Sequence, residues 1–301
     1  MSETIFAANR EVTVTHPDKV MFPADGITKA DLVAYYIRVA PSIIPHLRDR
    51  PLMMQRFPEG IAGGGFYQKD VPNYFPEWIR RIDVPKKGGT VTHVVCDDAA
   101  TLAYIVNQNC ITPHPWLSRV GKLDRPDRMM FDLDPSTDDF VIVREGALVL
   151  KELLDELKLP SFVKTTGSRG LHIVVPLAES GTYDDVRGMS EDIAAVLVGR
   201  LPKTMTVEGR KAQREKRVYV DVMRNGYAQT AVPAFAVRVR DGAPVSVPLA
   251  WREVRNRKLR SDTYTLTNIF RRLGQKEDPW EAFGRSRRSL KEARRRLEKM
   301  M

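Results

Sequence analysis

Cysteine is scarce in this chain. Only Cys96 and Cys110 occur among 301 residues, too few for a disulfide framework or a structural zinc cluster. Both are expected to be reduced, buried small side chains. Long apolar runs are missing too. No stretch of about 18 apolar residues occurs, so no membrane-spanning helix and no membrane partner are expected. The first residues, MSETIFAANREVTV, lack the apolar core of an export signal, and a cytoplasmic location is expected. Internal repeats, low-complexity segments and a Pro/Gly/Ser-rich linker are also missing. Acidic charge is in deficit, with 38 Asp and Glu against 48 Lys and Arg, a formal net charge of +10. Such an excess favours a polyanion as partner, chiefly nucleic acid, over a neutral or cationic one.

The cations cluster. The segment 251–260 (WREVRNRKLR) carries five, and 285–300 (RSRRSLKEARRRLEKM) carries eight against two acids. With 43% hydrophobic residues the chain can also build a sizeable core. Helical patterns fall at 27–40, with Thr28 as N-cap and Asp31 in the reciprocal position of a capping box, and at 97–108, capped by Asp97 or Asp98. Others fall at 143–159, 182–200 and 287–299. Strands are expected at 51–57, 90–95, 128–134, 161–166, 170–177, 216–223 and 230–239 from their β-branched and apolar composition. GIAGGG (60–65) reads as a loop. Helices and strands mix without strict alternation, which indicates an α+β or mixed α/β fold.

Three segments could carry chemistry. In Phe131-Asp132-Leu133-Asp134-Pro135 the two aspartates lie on one face of a strand, about 7 Å apart. Two carboxylates so placed repel unless a cation lies between them, and Mg²⁺ or Mn²⁺ takes such oxygen ligands. A solvated strand end is the plain alternative. In Arg217–Met223, alternation sets Val218, Val220 and Val222 on one face and Tyr219, Asp221 and Met223 on the other. A mid-strand Asp221 needs a partner: either a salt bridge to Arg217 or Arg224, or a metal shared with the aspartate pair. The third segment, Lys164-Thr165-Thr166-Gly167-Ser168-Arg169-Gly170-Leu171-His172, has the glycines, hydroxyls and cation of a phosphate cradle. It lacks the lysine-ended P-loop spacing, and a plain β-turn is the alternative. His172 taken alone reads as a core histidine.

Together DLDP (132–135), TTGSRGLH (165–172) and VYVDVMRN (218–225) resemble the polymerase domain of bacterial ligase D, within the archaeo-eukaryotic primase superfamily. THPDKVMFP (15–23), GITKADLVAYY (26–36), GFYQKD (65–70), VPKKGGT (84–90), HPWLSR (114–119) and DPW (278–280) extend the resemblance over about residues 10–285. It implies a single domain with a primase-like core, two sheets around a central cleft flanked by helices. Its N-terminal part would span about 1–120, its catalytic part about 121–285 and a basic helical tail 286–301.

The resemblance implies that Asp132, Asp134 and Asp221 are catalytic and hold two Mn²⁺ or Mg²⁺ ions. It sets His172 near an incoming triphosphate, with Thr166, Gly167, Ser168 and Arg169 beside it. Relatives often have serine where Thr166 stands and lysine where Arg169 stands. His114, Arg214, Arg224 and Arg238 match polar or basic nucleotide contacts. Lys19 and Lys29 match lysines that grip a 5′-phosphate, and Lys29, at the first position of a helix, would add free backbone N–H groups. Phe66, Tyr67 and Lys69 match template contacts.

The implied function is a DNA-directed nucleotidyltransferase that extends primer 3′ ends and fills short gaps with NTPs or dNTPs during non-homologous end joining. Its partners would be DNA with gaps, overhangs or broken ends, together with Ku and a DNA ligase, at the nucleoid. No KxDG ligase motif is present in these residues, consistent with a stand-alone relative or an excised domain. Competing readings are a primer-free primase, a non-catalytic DNA-end-binding module and a metal-dependent phosphoesterase or nuclease.

Overall fold

The computed structural model describes residues 2–300. The chain forms two compact units that interleave along the sequence. The first holds residues up to 116 with 230–246 and 264–269. The second holds 117–229, 247–263 and the residues from 270 on. Helix and strand are mixed in both, as the composition of the segments indicates. Among the described residues no helix is long and apolar enough to cross a membrane.

The first unit opens with a hairpin, β1 (Ser2–Ala7) and β2 (Arg10–Thr15). Its two turn residues, Ala8 and Asn9, both have positive φ, the turn geometry that matches strand twist. The short pair β3 (Val20–Phe22) and β4 (Ile27–Thr28) leads into α1 (Lys29–Leu47). Thr28 is the N-cap and Asp31 completes the capping box as expected. The helix runs past its expected end and through Pro41 and Pro45, because Val39, Ile43, Ile44 and Leu47 continue the buried stripe.

Strand β5 (Pro51–Arg56) is the hub of a five-stranded sheet. The remaining strands are β6 (Phe66–Gln68), β7 (Arg81–Lys86), β8 (Gly89–Val95) and β9 (Cys110–Pro115), in the order β6-β5-β8-β7 with β9 also pairing β5. Helix α2 (Ala99–Asn107), capped by Asp98, packs beside α1. Cys96 and Cys110 are free and buried.

The expected strand at 230–239 does not form. Pro233 offers no N–H to a ladder, Phe235 has φ +65, and only isolated bridges such as Val237 to Val245 remain. Side chains satisfy its backbone instead. Tyr36 Oη accepts from the Val237 N–H (3.0 Å), Thr112 Oγ1 donates to the Val237 carbonyl (2.6 Å), and Tyr35 Oη donates to the Phe235 carbonyl (2.7 Å).

In the second unit β10 (Ser118–Arg119) and β11 (Lys122–Pro126) form a small pair. The main sheet contains β12 (Arg128–Pro135), β13 (Phe162–Thr165), β14 (Leu171–Pro176), β15 (Met205–Thr206), β16 (Val218–Asp221) and β17 (Pro248–Leu249). Their order is β15-β16-β12-β14-β13-β17. One face of this sheet (Phe131, Leu133, Ile173, Val220) is fully buried. Helices α3 (Phe140–Glu156) and α4 (Tyr183–Arg200) pack on the sheet. The opposite face turns apolar one row below the acidic residues, where Phe162 meets Trp280 and Phe283.

Helix α5 (Trp251–Val254) is a single turn, followed by α6 (Ile269–Leu273) and α7 (Leu290–Leu297). The two basic segments are in part structural. Glu253 of α5 is paired with Arg272 of α6, and in the tail Arg294 pairs with Asp192 of α4 and Arg287 with Glu179. Ala293 and Leu297 are buried. The tail therefore docks as an amphipathic helix.

Candidate active site

Antiparallel register aligns the acidic residues of the second unit. Asp132 of β12 is the direct cross-strand partner of Asp221 on β16 and, on its other side, of His172 on β14. His172 in turn faces Lys164 on β13. Directly opposed residues project from the same face, so Asp221, Asp132, His172 and Lys164 form one row across four strands. Asp134, two residues on, shares that face and is opposed by Tyr219. Val218 and Val220 are buried while Tyr219 and Asp221 are only partly so, the alternation expected of this strand.

The row is joined by contacts. Lys164 Nζ lies 2.8 Å from His172 Nδ1, and His172 Nε2 lies 3.3 Å from Asp132 Oδ2. Burial pushes the Asp132 carboxyl up, but the His172 ring, its hydrogen bond, Arg224 and Lys164 outweigh it and hold the group below the usual range. Asp221 moves the other way. Burial raises it, opposed by the Met223 N–H that donates to Oδ1 (2.8 Å), and repulsion from Asp132 and Asp134 adds to the rise against Arg224. The suggested Arg217 bridge to Asp221 does not form, and Arg217 pairs with Glu215 (3.4 Å).

Asp134 is engaged by cations. Arg214 reaches it at 3.0 Å and Arg169 at 3.5 Å. Arg214 also lies over the Tyr219 ring (4.3 Å) and donates to the Glu208 and Gly209 carbonyls.

The 166–170 loop is a tight turn. Gly167 has φ +65, and a Cβ on Gly170 would lie 2.0 Å from the Leu133 carbonyl oxygen. The Thr166 hydroxyl accepts from the Ser168 N–H (3.2 Å) and the Gly170 N–H (3.1 Å) and contacts Ser261 Oγ (3.0 Å). Two of the loop's N–H groups are thus directed inward. The part of this segment facing the carboxylates is the Arg169 side chain.

The donor set fits a hard divalent cation, since all three carboxylates offer oxygen and two of them repel the third. Among the described residues, no three His, Cys, Asp or Glu side chains are gathered closely enough to hold an ion as they stand. This agrees with Asp134 being turned to Arg214 and Arg169. Asp132, Asp134 and Asp221 are the residues that would hold such an ion.

The remaining expected residues lie in the first unit. His114 on β9 contacts Gln55 Oε1 (3.3 Å) and meets Tyr67 edge-on (5.7 Å between centroids). Phe66 and Tyr67, on β6, are among the few exposed large apolar side chains, at 47% and 57% exposure. Lys69 follows that strand. Arg238 donates its N–H to the Pro244 carbonyl (2.8 Å). Arg56, which carried no signal beyond a charge at the end of an apolar strand, lies over the Phe66 ring (5.7 Å) and bonds Tyr74 Oη (3.2 Å) and Gln68 (2.6 Å).

Lys29 is 3% exposed and donates to the Thr15 carbonyl (2.8 Å). Burial first, then the charges of Lys19 and Arg56, lowers it to about 8. Lys19 donates to the Pro58 carbonyl and to Glu59 (3.3 Å). The expected free N–H groups at the start of α1 are taken. Lys29 N–H bonds the Lys19 carbonyl, Ala30 N–H the Pro17 carbonyl, and Asp31 N–H the Thr28 hydroxyl. Any anion there would be met by side-chain cations alone.

Known proteins match this chain over most of its length. The family model described as LigD, primase-polymerase domain, matches residues 28–280. The multifunctional non-homologous end joining protein LigD of Mycolicibacterium smegmatis is 32% identical over 252 residues, covering 83% of this chain and 33% of that protein. The LigD of Pseudomonas aeruginosa is 30% identical over 293 residues, covering 96% of this chain and 35% of that protein. The chain thus spans about one third of the length of these relatives. A solved structure described as the polymerase domain of Mycobacterium tuberculosis ligase D in complex with DNA superimposes with a TM-score of 0.85 at 28% identity. It covers 92% of this chain and 99% of the other.

Proposed function

The chain belongs to the LigD primase-polymerase family, and we propose that it is a metal-dependent nucleotidyltransferase that extends primer 3′ ends and fills short gaps in broken DNA during end joining. The observation that carries this reading is the row Asp221–Asp132–His172–Lys164, flanked by Asp134 with Arg214 and Arg169. Acids and cations stand side by side there within a few ångströms, as transfer of an anionic phosphoryl group demands.

When bound, Mg²⁺ or Mn²⁺ would supply Lewis-acid charge neutralisation at the reacting phosphate. The chain's own residues divide the rest. Asp132, Asp134 and Asp221 would be the ion's oxygen ligands, the first and last aligned by strand register. Arg169 and Arg214 stand where a triphosphate could draw them from Asp134. His172 directs a ring nitrogen at the same place. In the first unit, exposed Phe66 and Tyr67 offer stacking faces to template bases, and Lys19 and Lys29 offer charge to a 5′-phosphate. Ku and a DNA ligase are proposed partners, and the nucleoid the proposed location.

Incubating labelled primer–template with Mn²⁺, with and without NTP, tests the reading. Lengthening that requires NTP supports it. Shortening without NTP indicates a nuclease, and synthesis on a bare single strand a primer-free primase.

A further inference from the structure

Lys164 is among the largest side chains that are fully buried, at 1% exposure. Burying an ammonium is costly unless its N–H groups are used, and apolar residues fill much of the surrounding sheet, Val163 and Ile173 among them. Packing alone would favour an apolar side chain here. What the position uses is the head group, 2.8 Å from Nδ1 of His172.

An ammonium has three donors and no lone pair, so Nδ1 must be the acceptor in this contact. A neutral imidazole then carries its proton on Nε2, the nitrogen 3.3 Å from Asp132 Oδ2. We propose that Lys164 is a positioning residue that fixes the tautomer of His172, so that the Nε2–H is presented to the carboxylate row. In the opposite tautomer the Nε2 lone pair would face the Asp132 carboxylate and repel it, as it would any phosphate oxygen arriving there. Lys164 therefore acts two side chains away from Asp132, through a ring whose orientation the register of β12, β14 and β13 already fixes. Outer partners of this kind orient the groups that do the chemistry. The catalytic importance of the device rests on the function proposed above; the tautomer itself does not.

The test is ¹⁵N NMR of the imidazole nitrogens in the full chain, without metal or nucleotide. The five histidines are few enough to assign by single substitution. Wild type should show His172 protonated on Nε2. Lys164→Met should admit the Nδ1–H form. Lys164→Gln, whose amide can still donate to Nδ1, should restore the wild-type signature. In extension assays kcat/KM should fall about 10- to 100-fold in Lys164→Met and recover in part in Lys164→Gln. His172 protonated on Nδ1 in wild type would overturn the inference even if Lys164→Met does not fold, and so would an unchanged tautomer in a folded Lys164→Met. If the tautomer responds as described but wild type extends no primer, the positioning role stands and the polymerase reading fails.

Discussion

Asp132 and Asp221 face each other directly across the β12–β16 ladder, on the partly exposed face of a sheet whose other face is fully buried. Like charges in directly opposed positions destabilise a sheet, and the Asp221 carboxyl is raised by burial first and further by that repulsion. Asp221→Asn keeps an oxygen to accept from the Met223 N–H while removing the charge. The metal-free protein should melt at a higher temperature than wild type, and primer extension should fall by at least about a hundredfold, from the loss of several kcal/mol of transition-state stabilisation. Asp132→Ala and Asp134→Ala should abolish extension and leave DNA binding largely intact. A thermal melt beside an extension assay reads both halves. A variant that loses stability and keeps activity would overturn the assignment.

Gly170 carries a steric prediction. Its missing Cβ leaves room for the Leu133 carbonyl oxygen, which a methyl would meet at 2.0 Å. Leu133 lies between Asp132 and Asp134, so relief of the clash displaces either the strand that holds both or the loop beside it. Gly170→Ala should cost on the order of 2 kcal/mol or more and lower extension with it. Chemical denaturation with an unchanged midpoint would show that the loop moves aside without cost.

Much of this site was legible in the sequence because strand alternation is a local rule. Asp132, Asp134 and Asp221 could be set on faces by counting alone, Thr28 and Asp31 were visible as a capping box, and Asp98 was one of two candidate caps. What alternation cannot supply is register between strands distant in sequence. Lys164 stood in a segment singled out for phosphate binding, yet only the β13–β14 pairing shows that it addresses His172. The 230–239 segment had strand composition, but Pro233 and Phe235 break its ladder and Tyr35, Tyr36 and Thr112, far away in the chain, take its polar groups. The resemblance implied an anion site at the start of α1 to which free helix N–H groups would add, while the segment just before the helix already occupies those groups.

Glu253 makes stability depend on acid pH. Its burial would raise the carboxyl, but hydrogen bonds from Arg272, Lys276 and the Ala250 N–H outweigh it and lower it to about 2 from 4.5. A carboxylate depressed in the folded state contributes stability above its unfolded pKa and loses it as pH falls through the folded one. The contribution should be complete above about pH 5, decline from about 4.5 toward 2, and amount to roughly 2–3 kcal/mol. Denaturation of wild type and Glu253→Gln should differ by that amount at pH 7 and converge only as pH falls to about 2. A constant difference across this range would assign the loss to packing.

The resemblance to ligase D polymerase domains carries a sugar preference that no single side chain here announces. Ribonucleotides should be incorporated at least as well as deoxyribonucleotides. Steady-state kcat/KM for templated ATP and dATP measures it, and a strong deoxy preference would contradict it.

The pair Lys19 and Lys29 bears on how a gap is recognised. Burial first, and then the two neighbouring cations Lys19 and Arg56, depresses Lys29 to about 8. Gathering like charges is unfavourable by itself, and an anion reverses the sign of that energy. A 5′-phosphate bound there would be held by ammonium and guanidinium groups without help from the α1 backbone, whose first N–H groups are occupied. A gap with a 5′-phosphate should therefore bind and fill better than the same gap with a 5′-hydroxyl. Each charge-assisted contact contributes about 1.5–3 kcal/mol. Lys29 adds a pH signature. Protonated Lys29 attracts the phosphate and neutral Lys29 does not, so the preference should weaken as pH rises from 7 through about 8. Lys19→Ala with Lys29→Ala should remove the preference while sparing extension of a simple primer–template. The measurement is binding and filling of both gaps by wild type and double variant, at fixed salt because phosphate contacts are salt-sensitive, repeated at pH 7 and 9. A preference that survives the double substitution would move the 5′-phosphate site elsewhere. One that is lost with the double variant yet flat in pH would assign the grip to Lys19 alone.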